Sequence, residues 1–316
     1  MSAGSTPGLV APADPAPADP AFRFKRLLRR LKSCAGVRGR IAWSALSIGP
    51  HAVPIGAVME HARQSAMPAV IDEALRPATP GRLLQLLAPM VPSIRATRNQ
   101  ILDHAHYWRL RAEDALEADD EAEHPLMVVL GDSLSQAVGA SSIERSWLHR
   151  LVLHESQQRR NRPARIVNLS RSGARIDYVL NVQLPALRAI ERPIQLVTCT
   201  VGSNDFARGG SFSGVERSMH SLMSRLPSES VLATLPAKGS RMARRLNKTI
   251  RHEAARTGLL VADVDAHLPG WRGRSAGDRF HPNDLGYESW FAAFAQVTPT
   301  GTQRTSRPVA EATPDR

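Results

Sequence analysis

The sequence predicts an α/β fold, with a parallel sheet of about five strands and helices on both faces. Between residues 126 and 297, apolar runs of strand length alternate with longer segments of helical periodicity. Polar segments that contain glycine follow the first three of these runs, and such segments are typical of the carboxyl ends of parallel strands. Before residue 126 the patterns are helical, so we expect a helical extension ahead of the sheet.

Each predicted strand is a short apolar run bounded by polar or turn-forming residues. The five runs cover residues 126–130, 165–169, 195–201, 230–234 and 259–264. Helical patterns separate the runs and close the domain, at residues 143–160, 176–190, 214–226, 241–257 and 284–296. Strands joined through helices form right-handed crossovers, and such crossovers build a parallel sheet.

The chain of 316 residues divides into four predicted segments. Residues 1–21 and 298–316 are rich in proline, together with alanine or threonine, and are expected to be disordered. Residues 22–124 form a basic and then helical extension, which is punctuated by prolines and contains one long helix at 93–117. Residues 125–297 form the α/β domain.

The start of the extension has the pattern of a basic amphipathic helix. Phe24, Leu27, Leu28 and Leu31 fall on one helical face, and arginine and lysine fill the rest. A helix of this kind can bind an anionic membrane surface, so residues 22–40 are a candidate membrane contact. In the alternative interpretation, the leucines dock on the domain and the arginines lie in solvent.

Four polar segments carry residue types that ester hydrolysis needs. A segment with Ser133 follows the first predicted strand, one with Gly173 follows the second and one with Asn204 follows the third. The fourth segment, with Asp278 and His281, lies in the last loop before the closing helix. Because the carboxyl ends of parallel strands share one edge of a sheet, we expect these segments to meet there.

The chemistry of a serine nucleophile explains this set of residues. A serine hydroxyl attacks an ester only when an imidazole accepts its proton, and a carboxylate must then hold the imidazole in the right tautomer. Asp278 and His281 are three residues apart, so one short loop can deliver both groups to Ser133. A negative oxygen develops during the attack, and it requires hydrogen-bond donors aimed at it.

The four segments resemble those of the SGNH hydrolase superfamily, also called GDSL esterases and lipases. The resemblance covers residues 125–297 and is closest to bacterial members of actinobacterial type. It implies a flavodoxin-like, three-layer α/β/α fold, with Ser133 as nucleophile, His281 as base and Asp278 as its partner. It also implies an oxyanion hole built from the backbone N–H groups of Ser133 and Gly173 and from the side-chain amide of Asn204.

The implied function is that of a serine esterase that acts on a small-molecule or lipid ester through an acyl-enzyme, without a metal or organic cofactor. An acyltransferase or thioesterase with the same residues stays open, as does a binding protein of this fold without activity. Ser135 and Gln136 replace the small or glycine-containing continuation of many family members, which puts the pocket floor in doubt. The α/β-hydrolase alternative fails, since no Gly-x-Ser-x-Gly surrounds Ser133.

Composition and charge limit the classes of partner and the cellular locations that we expect. The net charge of +12 would suit a nucleic-acid-binding protein, but much of the excess lies within residues 22–40, and no nucleic-acid module is recognisable. Two cysteines provide no disulfide framework, and the patterns show no metal-ligand spacing, secretory signal or apolar stretch of about 20 residues. We therefore predict a cytoplasmic protein, with membrane attachment through residues 22–40 as an open alternative, and make no prediction of oligomeric state.

Overall fold

The computed structural model describes residues 67–78, 92–118, 124–158 and 164–298. The predicted amino-terminal tail, the predicted basic helix within residues 22–40 and all but the first residue of the predicted carboxyl-terminal tail lie outside the described residues. None of the helices within the described ranges combines the length and the apolar character needed to cross a bilayer.

Five parallel strands form one sheet, and their spatial order is β2-β1-β3-β4-β5. In chain order the strands are β1 (Leu126–Gly131), β2 (Arg165–Asn168), β3 (Ile194–Thr200), β4 (Val231–Ala233) and β5 (Leu260–Ala262). This is the flavodoxin-like order, so the predicted fold class is confirmed. The strand order reverses at β1 and β3, where ligands bind in open parallel sheets.

Strand β1 is central and buried on both faces. Leu126, Val128 and Leu130 join one hydrophobic core cluster, whereas Met127 and Val129 join the other. Successive side chains of a strand point to opposite faces, so this alternation places one core on each side of the sheet. The uninterrupted apolar run of β1 is therefore the pattern of a strand that is covered on both sides.

Ten α-helical segments lie within the described residues. They are α1 (Ala69–Ala74), α2 (Pro92–Glu117), α3 (Trp147–Gln158), α4 (Ile176–Tyr178), α5 (Leu184–Arg188), α6 (Ser203–Ala207), α7 (Phe212–Met223), α8 (Arg241–Thr257), α9 (Val264–His267) and α10 (Asp284–Val297). Helices α7 and α8 contribute to the core on the side of Val128, and α3 and α10 contribute to the core on the side of Val129. The predicted helices on both faces are thus present.

Two of the predicted helices depart from regular α-helical geometry. The pattern at 143–160 resolves into a 3-10 turn (Ile143–Arg145) followed by α3, with Ser146 in an extended conformation between them. The pattern at 176–190 is one continuous helical stretch in which a π-helical segment (Val179–Gln183) separates α4 from α5. Pro185 lacks an N–H and cannot continue a regular α-helical ladder, which accounts for an irregularity at this point.

Helix α2 of the extension packs on the α/β domain. Its buried residues Ile101, Ala105, Trp108, Ala112 and Ala115 recur at helical spacing. Trp108 joins the core on the side of Val129, whereas Ala112 and Ala115 join the other. The observed range of α2 begins one residue before the predicted helix and ends with it.

Candidate active site

The candidate nucleophile lies directly beyond the carboxyl end of β1. Gly131 ends the strand with φ +128°, and a Cβ atom at this position would lie 2.1 Å from the carbonyl oxygen of Thr200. Only glycine fits so close to the neighbouring strand, so the chain can turn out of the sheet here. Ser133 follows two residues later and is 4% exposed.

His281 links Ser133 and Asp278 in one chain of hydrogen bonds. Its Nε2 atom lies 2.8 Å from Ser133 Oγ, and its Nδ1 atom lies 2.6 Å from Asp278 Oδ2. The tautomer with the proton on Nδ1 satisfies both contacts, because Nδ1–H then donates to the carboxylate and Nε2 accepts from the hydroxyl. The three residues predicted to act together are therefore within direct hydrogen-bonding distance.

The Asp278 carboxylate is held by donors on both oxygens. Oδ1 accepts the backbone N–H groups of Phe280 and His281, each at 3.0 Å, and Oδ2 accepts the imidazole. Burial alone would raise the pKa of Asp278, but the bond and charge of His281 and the two backbone donors outweigh it and lower the pKa to about 2. Asp278 thus remains a carboxylate at neutral pH, as the partner of an imidazolium must.

The loop of Ser133 and the loop of His281 touch at Gly139. This glycine has φ +97°, and a Cβ atom there would lie 2.5 Å from Pro282 O and 2.7 Å from His281 Cβ. The Tyr287 hydroxyl of α10 donates to Val138 O at 2.7 Å and ties the same two regions together. This close approach sets the separation between the nucleophile and the imidazole.

Two backbone N–H groups of the site, those of Ser133 and Gly173, are candidate donors to an oxyanion. Among the described residues, neither Ser133 N nor Gly173 N donates to a protein atom. Gly173 has φ +78°, and its loop is attached to the end of β1, since Arg171 N donates to Gly131 O at 3.1 Å. Unsatisfied N–H groups at an active-site edge are suited to bind a negative oxygen.

The side-chain amide of Asn204 is directed into the same site. Its Nδ2 atom donates to Ala174 O at 3.0 Å and to Asp132 Oδ2 at 3.2 Å, so both amide hydrogens have acceptors. The first contact reaches the Gly173 loop and the second reaches the Ser133 loop. Asn204 therefore connects the polar segments that follow β1, β2 and β3.

Two buried carboxyl groups, those of Asp132 and Asp205, hold these loops by backbone hydrogen bonds. Asp132 accepts Leu134 N at 3.0 Å, and Asp205 accepts Ile176 N at 3.2 Å. Burial raises the pKa of Asp132 to about 7 and that of Asp205 to about 6, although hydrogen bonds to each carboxyl oppose the rise.

Substitution Asp132→Asn is expected to change how stability depends on pH. The folded-state pKa of about 7 lies above the value of about 3.9 for an unfolded aspartate, so the folded state holds this proton more tightly. The contribution of Asp132 to stability is thus fully present below about pH 4 and is lost as the pH rises through 7. Urea denaturation from pH 4 to pH 8 should show the free energy of unfolding of the wild type falling, relative to the variant, by about 2–4 kcal/mol.

The exposed Asp103→Asn on α2 is the matched control for this measurement and should show no such change. A difference between wild type and Asp132→Asn that stays constant from pH 4 to pH 8 would contradict the assigned environment of Asp132.

Gln136 is a supporting residue whose role the sequence did not reveal. Its Nε2 atom donates to Ser170 O at 2.8 Å, and its Oε1 atom accepts both Ser172 N and Ser172 Oγ. It is 4% exposed, and its neighbour Ser135 is fully buried and bonded to Thr200 Oγ1. Gln136 thus supports the Gly173 loop through its side-chain hydrogen bonds, whereas Ser135 is bonded to the end of β3.

No group of three or more His, Cys, Asp or Glu side chains in the described ranges is arranged to hold a metal ion. Cys199 is a free and fully buried thiol in β3.

Comparison with known proteins relates this site to a family. Residues 129–288, half of the chain, match the model of the GDSL-like Lipase/Acylhydrolase family. No sequence among the curated proteins matches the chain.

Several solved structures resemble the chain. One is a member of the lipolytic protein G-D-S-L family from Veillonella parvula, with 17% identity over 54% of this chain and 97% of that chain and a TM-score of 0.45. Another is TesA, with 23% identity over 54% of this chain and 97% of that chain and a TM-score of 0.46. A third is an acetylxylan esterase from Geobacillus stearothermophilus, with 18% identity over 54% of this chain and 93% of that chain and a TM-score of 0.44.

Proposed function

The chain belongs to the GDSL-like lipase/acylhydrolase family and is a carboxylic ester hydrolase, and we propose that it cleaves esters with Ser133, His281 and Asp278 as its catalytic triad. The observation that carries the proposal is the position of His281, whose two ring nitrogens lie 2.8 Å from Ser133 Oγ and 2.6 Å from Asp278 Oδ2. The substrate we propose is a small-molecule or lipid ester.

In the first half-reaction Ser133 Oγ attacks the ester carbonyl carbon. His281 Nε2 accepts the hydroxyl proton as the new C–O bond forms, and the electron pair of the carbonyl moves to its oxygen. The ionised Asp278 stabilises the resulting imidazolium through Nδ1. When the tetrahedral intermediate collapses, the bond to the alcohol breaks and Nε2 returns the proton to the leaving oxygen, which leaves an acyl group on Ser133.

The second half-reaction repeats these steps with water. His281 Nε2 accepts a proton from water as the water oxygen attacks the acyl carbon, and the second tetrahedral intermediate releases Ser133 Oγ. The imidazolium then protonates Ser133, so the free carboxylic acid leaves and the resting hydrogen bonds re-form. One ester and one water thus give one acid and one alcohol.

We propose that the oxyanion is held by the backbone N–H groups of Ser133 and Gly173 and by the Asn204 amide. The first two have no protein acceptor among the described residues, so they can bind the new negative oxygen without breaking a bond. Asn204 donates one hydrogen to Asp132 at 3.2 Å, the longer of its two contacts. That hydrogen can be shared with the oxyanion while the hydrogen bond from Asn204 to Ala174 O stays in place.

The proposal is tested with p-nitrophenyl esters whose acyl chains run from acetyl to palmitoyl, together with labelling by a fluorophosphonate. We expect p-nitrophenol release, loss of activity on labelling and the added mass on the peptide that contains Ser133. The preferred chain length then separates a pocket for short acyl groups from a channel for lipid. Hydrolysis that survives complete labelling of Ser133, or a label on another residue, would rule out the proposed nucleophile.

The same assay distinguishes hydrolysis from transfer. If water is the natural acceptor, adding a primary alcohol should leave free acid as the main product. If the new ester becomes the main product at low alcohol concentration, the acyl-enzyme assignment holds but the enzyme is a transferase.

A further inference from the structure

One face of helix α2 contacts both catalytic loops, although α2 precedes the family domain at residues 129–288. The contacts come from Thr97, Gln100, His104 and Trp108, which are spaced by three or four residues. Residues at this spacing lie on the same side of a helix. The face therefore acts as one surface, with its amino-terminal part directed at Asp278.

Thr97 reaches the carboxylate of the proposed triad. Its Oγ1 atom donates to Asp278 Oδ2 at 3.3 Å, and Thr97 is 5% exposed. The same oxygen accepts His281 Nδ1 at 2.6 Å, while Oδ1 accepts two backbone N–H groups. The Thr97 hydroxyl of α2 thus contacts the same Asp278 oxygen that faces the imidazole.

The rest of the face fixes where that hydroxyl lies. The Gln100 side chain donates to Ala140 O at 2.8 Å and accepts Gly139 N at 3.0 Å, so it is bonded in both directions. His104 Nδ1, one turn later, and Trp108 Nε1, two turns later, both lie within hydrogen-bonding distance of Gln136 O. These bonds attach α2 to the loop that carries the nucleophile, and the helix then presents Thr97 to Asp278 at a set position.

We infer that Thr97 is a positioning residue for the triad and acts through Asp278; the inference rests on the proposed function of that aspartate. A donor on Oδ2 restricts rotation of the carboxylate, so His281 keeps the orientation in which Nε2 faces Ser133. The donor also withdraws part of the negative charge from the oxygen that stabilises the imidazolium. Without it the imidazolium is held more tightly, and the proton is retained to a higher pH.

Two substitutions separate the hydrogen bond from packing. Thr97→Val keeps the branched shape and a similar helix propensity but has no hydroxyl, whereas Thr97→Ser keeps the hydroxyl and loses the methyl group. We expect Thr97→Val to lower kcat by about 5- to 20-fold with KM within twofold, since a geometric defect acts on the transition state. Thr97→Ser should stay within about twofold of the wild type.

The pH profile gives a readout that a packing defect would not move. In Thr97→Val the acidic limb of kcat against pH should shift upward by about half a pH unit, while Thr97→Ser should overlay the wild type. Among the described residues, Asp132 of the nucleophile loop interacts electrostatically with His281, and Tyr287 of α10 does so with Asp278. Neither is altered by the substitutions, so a shift confined to the valine variant reports the lost donor.

The outcomes distinguish this inference from the proposed function on which it rests. Unchanged kcat and pH profile in folded Thr97→Val, with Ser133→Ala inactive, would overturn the role of Thr97 and leave the triad intact. Equal losses in the valine and serine variants, without a shift of the pH limb, would assign Thr97 to packing and also overturn it. Activity in Ser133→Ala would remove the triad and this inference together. Thr97→Ala, with its higher helix propensity, replaces the valine variant if that variant does not fold.

Discussion

Substitution Ser133→Ala is expected to abolish ester hydrolysis while the protein stays folded. The variant lacks the oxygen that attacks the carbonyl, and His281 Nε2 loses the hydroxyl that lies 2.8 Å away. Binding and the oxyanion donors remain, so a small residual rate over the uncatalysed reaction can persist. We expect kcat to fall by about 10⁴-fold or more with the best p-nitrophenyl ester.

Ser213→Ala is the matched control for this experiment. Ser213 is exposed on α7 and is not among the residues assigned to the site. The same chemical change at Ser213 should leave kcat within about twofold of the wild type. Thermal unfolding of both variants should stay close to that of the wild type, since the loss of one hydroxyl from Ser133 removes no core packing.

Either of two results would contradict the mechanism. A Ser133→Ala variant that retains a tenth or more of the wild-type kcat would show that another group attacks the ester. Loss of activity in both serine variants, with normal unfolding curves, would point to a site on α7 and away from the β1 loop.

The sheet and the position of the site follow from short-range patterns in the sequence. The fully apolar run at β1 indicates a strand covered on both faces, and the alternation of strands and helices leaves few topologies. Ser133, Gly173 and Asn204 each follow a predicted strand, so a common edge could be expected before any distance was measured. The pair Asp278 and His281 needed only one short loop.

The hydrogen bonds that hold the catalytic loops in place depend on how separate helices and strands pack together. No local sequence pattern encodes that packing. Thr97, Gln100, His104 and Trp108 have the spacing of an ordinary packing face, so the sequence assigned them no chemistry. Whether such a face meets a catalytic loop or a neutral surface is decided by the tertiary contact between α2 and the domain. The sequence patterns around these four residues, several prolines and one long helical segment, predict only a helical extension.

Gln136 illustrates the same limit at a single position. Its amide bonds the backbone around Ser170 and Ser172, more than thirty residues away in sequence. A glutamine after a nucleophile has no preferred partner that spacing could identify, because its flexible side chain can reach many groups. The irregularities within two predicted helices were missed for a related reason. The helical periodicity of the sequence continues through Ser146 and through the π-helical segment before Pro185, so it does not show where the regular helix stops.

Substitution Asn204→Ala is expected to lower kcat by about 10²- to 10³-fold, because it removes the side-chain donor to the developing oxyanion. KM should change little, since the bond strengthens as the carbonyl oxygen becomes negative. The variant should also lose about 1–3 kcal/mol of stability, as Asp132 Oδ2 and Ala174 O lose a buried donor.

The matched control is Asn247→Ala on α8, which separates the effect on catalysis from the effect on folding. Asn247 is fully buried and bonds Leu235 N and Leu235 O at 2.8 and 2.7 Å, so its loss should destabilise the fold by a similar amount. Measured below the unfolding transition of both variants, kcat should fall steeply in Asn204→Ala and stay near wild type in Asn247→Ala. Equal decreases in kcat would mean that Asn204 acts through stability alone, and the oxyanion would then rest on the two backbone N–H groups.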